Sequence, residues 1–546
     1  MIKKLFTGQI NSITFAALLV ALSSLASRLL GIFRDRILAG QFGAGDTLDI
    51  YYAAFRIPDL IYNLIVLGAL SAGFIPILTK LIKDYKCDKG CQNADFNREA
   101  WGLTSNVLNI LSLFLVVLSA FGLLFSPQLT RLIAPGFSPE KQALTSNLTQ
   151  VMFLSPLFLG ISSILGGILQ SFKRFFVYSL SPIFYNIGII VGALYLVPLW
   201  GIYGLAWGVA IGAFFHMAVQ IPAVLKLGYR YSFRFNFRDK DTRQIGVMMI
   251  PRTLSLAVNQ INYVVITIVA STLAGGSLAV FNLANNLQSF PIGIFGLSFA
   301  VAAFPALSAV AFDKKKLTDN FSTVFRQILF FIVPATVLLL TLRAQIIRVI
   351  LGTGQFDWND TVLTLNTLGF FSISLFAQAS IPLLIRVFYA RHDSKTPFYI
   401  GLACVAINIF LSLFLNKKIG VAGLALAFSI SNILNFILLW LMLKLEIGEM
   451  DETRILFSAI KFSVAALACG MTVQTMKLLV WPFIDMTKTW GVMTQGLMAG
   501  IFGIFAYILL CYLLKSEELF NFLDSLKRRL SWKKVETIDQ GEARGM

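Results

Sequence analysis

Ile328-Leu-Phe-Phe-Ile-Val-Pro-Ala-Thr-Val-Leu-Leu-Leu-Thr-Leu342 runs fifteen residues without a charge. A membrane β-strand would alternate apolar and polar residues over about 10 positions. This stretch is continuously apolar, and a helix rising about 1.5 Å per residue needs roughly 20 such residues to cross a hydrocarbon core of about 30 Å. Apolar runs of that length recur from end to end of the 546-residue chain. Its composition is 57% hydrophobic and 13% charged, with 49 phenylalanines, whereas soluble domains are nearer one quarter charged. The fold class is therefore all-α and polytopic in a membrane.

Fourteen segments read as spans: 13 to 37, 50 to 79, 103 to 125, 147 to 170, 178 to 197, 202 to 224, 246 to 271, 279 to 307, 322 to 343, 362 to 386, 397 to 415, 420 to 443, 456 to 480 and 491 to 514. The formal charge of +18 would suggest nucleic acid in a soluble protein. Here the basic residues gather in alternate loops: Lys80 to Arg98, Lys173 and Arg174, Lys226 to Arg243, Lys314 to Lys316, Arg391 and Lys395, and the tail Lys527 to Arg529. The loops near Trp200, Gly275 and Trp358 are nearly free of them. The positive-inside rule places the basic set in the cytoplasm, together with both termini. An even number of spans agrees with that. The first apolar run continues into Arg28 and Arg34 without a small-residue cleavage site, so it reads as a retained helix. Cys87 and Cys91 are four apart but lack companion ligands for a metal, and Cys404, Cys469 and Cys511 read as packing residues.

The chain repeats itself. Gly201-Ile-Tyr-Gly-Leu-Ala206 opens the sixth span and Gly420-Val-Ala-Gly-Leu-Ala425 the twelfth, 219 residues later. The second span, from Ala53-Ala-Phe-Arg56 to Phe74-Ile-Pro76, answers to the eighth, from Leu283-Ala-Asn-Asn286 to Phe304-Pro305, at an offset of about 230. Each offset contains six spans, so the copies enter from the same side as a parallel repeat. The expected organisation is an N-lobe (1–225), a cytoplasmic linker (226–245), a C-lobe (246–445), two additional helices (446–514) and a cytoplasmic tail (515–546).

Charges inside apolar spans are costly, about 2.5 to 3.5 kcal/mol each at mid-membrane, and tend to line polar cavities. On a helix, Asp49, Tyr52, Arg56, Asp59 and Asn63 fall on a stripe about 80 degrees wide. In the first span Arg28 and Asp35 share a face, and Arg34 points elsewhere, toward the membrane boundary. Arginine offers phosphate two parallel charge-assisted bonds, so a cationic lining suits an anionic cargo. The alternative is that these residues are static ion pairs between helices or snorkel to an interface, a reading that fits the aspartates better than Arg28 and Arg56, which lie well within their spans. The second half is amide-rich at this depth, with Asn259, Gln260 and Asn262 in the seventh span and Asn282, Asn285, Asn286 and Ser289 in the eighth. These amides could meet a sugar-bearing cargo or act as interhelical glue. No Walker loop, nucleophile elbow or metal-spaced cluster is present, which speaks against an enzyme or an ATP-driven pump.

Ser27-Arg28-Leu-Leu-Gly31-Ile-Phe-Arg34-Asp35, Phe42-Gly-Ala-Gly45 followed by Asp49, Phe74-Ile-Pro76, Phe290-Pro291 to Pro305-Ala-Leu-Ser308, and Phe388-Tyr-Ala390 with Asp393 and Thr396-Pro397 together resemble the MurJ (MviN) family of the multidrug, oligosaccharidyl-lipid and polysaccharide exporter superfamily. The resemblance covers essentially the whole chain. It implies a flippase of the bacterial inner membrane that carries lipid II, an undecaprenyl-pyrophosphate-linked peptidoglycan precursor, outward by alternating access, with spans 13 and 14 receiving the lipid tail. Arg28, Arg34 and Asp49 match the family's cavity positions, and Arg56 stands where a basic residue is usual. The chain departs from the pattern at Tyr62, Asn63 and Leu67, where the family has two arginines and a glutamate, and at Asn286 and Ser289, where it has an arginine and a glutamate.

The expected substrate contacts are accordingly Arg28, Arg34, Arg56, Asn259 and Asn286, with Asp35, Asp49 and Asp59 as counter-charges or ion ligands. No cofactor is expected; coupling to the membrane potential, at about 2.3 kcal/mol per charge per 100 mV, or to a monovalent ion is compatible with this lining. Partners are the polyprenyl-pyrophosphate lipid, membrane phospholipids and cell-wall synthesis proteins, not nucleic acid. Flipping of another polyprenyl-linked oligosaccharide, cation-coupled export of soluble compounds, and a non-transporting envelope scaffold stand as alternatives.

Overall fold

The computed structural model describes residues 13–67, 73–84 and 94–530, and all their regular structure is helical. Ten helices are long and apolar enough to cross a membrane, or eleven if the pair Trp358–Ile373 and Leu375–Ala390, bent by 46°, is one span. The molecule is an all-α polytopic membrane protein. Large apolar side chains that would be intolerable in water, such as Leu467, Leu478 and Phe505, stand exposed on its helices. Among the expected spans, the tenth appears only as that bent pair, and the first, second and seventh have no counterpart among the ten; all three of these carry polar site residues.

The helices that carry the argument are α1 (Ile13–Phe42), α2 (Asp46–Ile61), α3 (Ala94–Leu124), α4 (Pro139–Met152), α5 (Phe175–Val191), α6 (Tyr203–Ala218), α7 (Lys240–Ser271), α8 (Ser277–Pro291), α9 (Lys314–Thr341), α10 (Glu452–Val480), α11 (Thr489–Leu513) and α12 (Glu517–Leu530). The described residues fall into two compact units. One draws on Met1–Phe290, Arg343–Ala377 and Asp393–Leu439, the other on Pro291–Leu342, Gln378–His392 and Trp440–Met546. The units do not follow the two halves of the chain: α7 and α8 of the second half pack with α2 in the first unit. Cys87 and Cys91, and the side chain of Asn259, lie outside the described residues.

The sequence repeat reappears in the backbone. Pro58 lies inside α2, which continues as a π-helical turn over Tyr62–Leu67; of the further π turns, at Gly192–Leu196 and Ile292–Leu297, the latter follows α8 at an offset of 230 residues. Such turns interrupt helices where backbone bonding must adjust, often at functional sites. The other pair matches as closely. Gly201 sits at φ 58, ψ −146 and Gly420 at φ 60, ψ −140, a region essentially reserved for glycine.

In the first unit α5 and α6 approach through glycines spaced four apart. A Cβ at Gly188 would strike the Cα of Gly212, and one at Gly192 would lie 2.5 Å from the Cα of Gly208. Apolar side chains gain little from leaving lipid for a helix interface, so close backbone approach supplies the packing instead. In the second unit, α9 meets α10 and α11. The Tyr507 hydroxyl donates to the Phe330 carbonyl at 2.7 Å, and buried Arg326 pairs with Glu518 and, at 3.2 Å, with Glu517 of α12.

Candidate functional site

Every residue of the site belongs to the first unit. Asp46 and Asp49 open α2, where acidic groups complement the positive end of a helix. Asp49, 1% exposed, reaches across to α8. Its two oxygens accept the amides of Gly276 at 2.7 Å and Ala279 at 2.9 Å, so one carboxylate satisfies two free N–H groups at the start of that helix. Gly276 has φ +87, and a Cβ there would overlap the carbonyl of Ala44. Lys141 of α4 completes the cluster, 2.7 Å from Asp46 and 3.9 Å from Asp49. Two further contacts close the same end: the Ala44 amide donates to Asp360 at 2.8 Å and the Gln355 amide to the Gly40 carbonyl at 2.9 Å.

Seven residues along α2, about 10 Å at 1.5 Å per residue, Arg56 is 8% exposed and faces neutral partners. It donates to Thr267 Oγ1 at 2.9 Å and to Asn282 Oδ1 at 3.4 Å, and lies over the Tyr263 ring, 5.5 Å from the centroid. The stripe foreseen on α2 therefore divides: Asp49 seals one end, and Arg56 with Asp59 lines a cavity of about 250 Å³. Asp59 is half-buried there, and its carbonyl accepts the Asn63 amide at 2.9 Å.

Arg34 requires a correction. The helical projection turned it away from the Arg28 and Asp35 face, yet its guanidinium swings into this cavity. It binds Asp35 through Nε at 3.0 Å and Nη2 at 2.8 Å, and Asn186 Oδ1 through Nη1 at 3.1 Å. The second oxygen of Asp35 accepts the Asn286 amide at 2.9 Å. A long side chain with four rotatable bonds can leave the direction of its Cβ by several ångströms to reach a buried carboxylate, and that defeats a projection based on Cβ angles alone. Arg28, expected beside Asp35, instead reaches the Ser289 carbonyl at 3.5 Å.

The cavity thus joins Arg34, Arg56, Asp59 and Asn286, with Asp35 behind it bonded to Arg34 and Asn286 and Asp49 set apart at the seal. Tyr51, Tyr263, Asn186, Lys141 and Asp46 were missed. Asn186 alone left a sequence signal, as a single amide inside the apolar run of the fifth span. The Tyr52 hydroxyl and Gln260 Oε1 are buried beside the cavity without a protein partner among the described residues. Such groups are costly unless something else bonds them. At about 250 Å³ the space falls below the roughly 300 to 1,000 Å³ of sites for drug-sized ligands, and suits a compact polar group better than a whole glycopeptide.

Broken helices around a charged, amide-rich cavity in a polytopic bundle define a membrane transporter. The fold resembles that of an inward-facing multidrug resistance MATE family transporter of the MOP superfamily, at TM-score 0.65 and 16% identity over 80% of this chain and 99% of that one.

The chain belongs to the lipid II flippase MurJ family, whose sequence description matches residues 38–495. Probable lipid II flippases MurJ from Buchnera aphidicola subsp. Baizongia pistaciae and Vibrio cholerae are each 30% identical to it, over 77% and 90% of this chain and 81% and 93% of theirs. A solved lipid II flippase MurJ in an inward closed conformation superposes at TM-score 0.74 with 25% identity, covering 94% of this chain and all of that one.

Proposed function

We propose that this protein flips lipid II from the cytoplasmic to the outer leaflet of the bacterial inner membrane by alternating access. Membership of the family supports the cargo. The observation that carries the site is Arg56, a buried guanidinium held by a hydroxyl, an amide and a ring rather than by a carboxylate, beside Arg34 at one cavity. A pyrophosphate entering that space could bond Arg56 without first displacing an aspartate. Arg34 would release Asp35 to Asn286, and Arg28, about two turns earlier in α1, would meet the cargo from beside Ser289. Asn259 remains a contact proposed from sequence. The amides Asn282, Asn285 and Asn286 favour a sugar-bearing group, while the polyprenyl tail stays in lipid.

In this scheme fourteen spans form two six-helix lobes (1–225 and 246–445) joined by the 226–245 linker. Residues 446–514 supply the last two spans, and both termini lie in the cytoplasm. The paired π turns and the paired glycines are the structural support for that repeat. The basic loops mark the cytoplasmic side, so the Asp49 seal closes the outer side. Asp35 and Asp59 serve as counter-charges that keep the empty cavity near neutrality. Membrane potential would then act on whichever arginine and cargo charges move.

The test is flipping of fluorescent lipid II in reconstituted vesicles. Arg56→Ala should abolish transport while Arg56→Lys retains a fraction, because lysine keeps the charge but loses the two-point geometry. Wild-type transport by Arg56→Ala would remove the site.

A further inference from the structure

Between α6 and α7 the chain reads Tyr229-Arg-Tyr-Ser-Phe-Arg-Phe-Asn-Phe-Arg238, with an aromatic ring at every odd position and arginines at 230, 234 and 238. Residues 229–236 form no helix or strand of their own. A polar ladder on α3 holds them instead. Ser105 Oγ accepts the Ser232 amide at 3.2 Å, and Asn106 makes a two-point contact with Asn236, accepting its amide at 2.7 Å and donating to its carbonyl at 2.9 Å. Asn109 donates to the Arg234 carbonyl at 3.0 Å. The ribbon is thus pinned by its backbone. Tyr229 turns inward, edge-on to Trp101 at 5.4 Å, while Tyr231, Phe233, Phe235 and Phe237 stay exposed, Phe233 by 82%.

Four exposed rings within seven residues are unfavourable in water. The same helix shows where they sit: one turn beyond Asn109, about 6 Å along the axis, Leu113 and Phe114 of α3 begin its exposed apolar belt. The rings therefore lie at the boundary between lipid and water, where aromatic and basic residues anchor membrane proteins.

A second observation adds a cleft. Beside the ribbon, α3 and α7, with Ile65, Phe74 and Ile164 as further walls, leave an almost wholly apolar space of about 450 Å³ lined by Val107, Leu111, Phe114, Ile245 and Met249. Its wall includes Phe114 and Ile250, both exposed, so it opens sideways to lipid. Thr242 at its rim accepts from Asn106 at 2.9 Å, and the Arg234 guanidinium lies over Gly102, one turn from Asn106 on the same face of α3. A cation therefore stands near the mouth of an apolar slot. Among the described residues no carboxylate forms an ion pair with Arg230, Arg234, Arg238 or Arg243.

We propose that the ribbon and cleft bind one anionic glycerophospholipid, with an acyl chain in the cleft and the phosphate on the ribbon arginines. A water-soluble anion would leave the cleft unfilled, and a zwitterionic lipid would leave the arginines uncompensated. The site is separate from the cavity around Arg56, and its occupancy does not depend on what the protein transports.

Native mass spectrometry of the full-length protein, titrated with phosphatidylglycerol or phosphatidylcholine of identical chains, tests this. One phosphatidylglycerol should be retained in preference. Replacing Arg230, Arg234 and Arg238 with alanine should weaken it about a hundredfold, roughly fivefold per arginine, and leave phosphatidylcholine unchanged. Gly246→Phe, at a position where a Cβ meets nothing within 4 Å, should fill the cleft and weaken both lipids. Thermal unfolding in detergent checks that each variant is folded, and Arg234→Gln with a smaller loss replaces the triple variant if that one is not. Equal affinity for the two lipids, or phosphatidylglycerol binding unchanged by either set of substitutions, overturns the proposal. Retention of glycerol phosphate as strongly as the lipid would overturn the acyl-chain assignment and leave a soluble-anion site.

Discussion

Replacing Asp49 with asparagine should loosen the contact between α2 and α8. The carboxylate accepts two amides, from Gly276 at 2.7 Å and Ala279 at 2.9 Å, and is 1% exposed. Asparagine keeps one carbonyl oxygen for one amide but turns an NH₂ group toward the other, and it loses the charge. A hydrogen bond to a charged group contributes about 1.5 to 3 kcal/mol, and a carboxylate at a helix start adds about 0.3 to 1 kcal/mol. The sum, roughly 2 to 4 kcal/mol, corresponds to about a 30- to 700-fold change in the equilibrium between closed and open contacts. A cysteine at Ser277, 7% exposed in this contact, reports it through its rate of reaction with a membrane-impermeant maleimide. Cys404, Cys469 and Cys511 are buried, and Cys87 and Cys91 are changed to serine. Labelling should accelerate at least about 30-fold in the Asp49→Asn background. Asp46→Asn is the control: its side chain is 61% exposed beside Lys141, and an exposed pair is worth about 0 to 1 kcal/mol, so acceleration should stay below about fivefold. Labelling unchanged by Asp49→Asn, or equal acceleration by both variants, would refute the assignment of Asp49 as the seal.

Gly201→Ala should lower stability by about 1 to 3 kcal/mol through backbone strain alone, since a Cβ there meets nothing within 4 Å; a melting temperature equal to wild type would contradict this. Gly208→Leu should be at least as damaging, about 1 to 3 kcal/mol or more, because the added side chain must displace Gly192 of the facing helix, and well-ordered protein at wild-type stability would argue against that packing. The Arg454 guanidinium holds the Glu517 carboxyl below its usual value. A carboxyl depressed in the folded state stabilises fully above its unfolded pKa of about 4.3 and loses that contribution as pH falls through the folded value. Protease sensitivity of α12 should therefore rise only in acid below about pH 4, and Glu517→Gln should remove that dependence; an onset near neutrality would contradict the pairing.

The π turns and positive-φ glycines show how much was legible in the chain. Local rules fixed both: a repeated Gly-x-x-Gly-Leu-Ala and a repeated polar second and eighth span produced the same backbone 219 and 230 residues apart. Asp49 and Arg56 were found for a related reason, since a buried charge in an apolar helix is visible in one dimension. Their partners were not. Gly276 and Ala279 offer only backbone amides, which every sequence has, and Tyr263 and Thr267 look like ordinary residues of a half-apolar helix.

Arg34 marks the division most clearly. By itself the sequence determined that this is an all-α membrane protein and which helices carry charge, because continuity of apolar residues and helical period are properties of a single segment. Only the tertiary structure decided that Arg34 pairs with Asp35 and Asn186, that Arg56 meets neutral groups, and that Asp49 seals a helix end rather than lining the cavity. Those choices depend on rotamers and on which distant segment is brought alongside. In a medium without water, a buried charge takes whichever partner the packing presents.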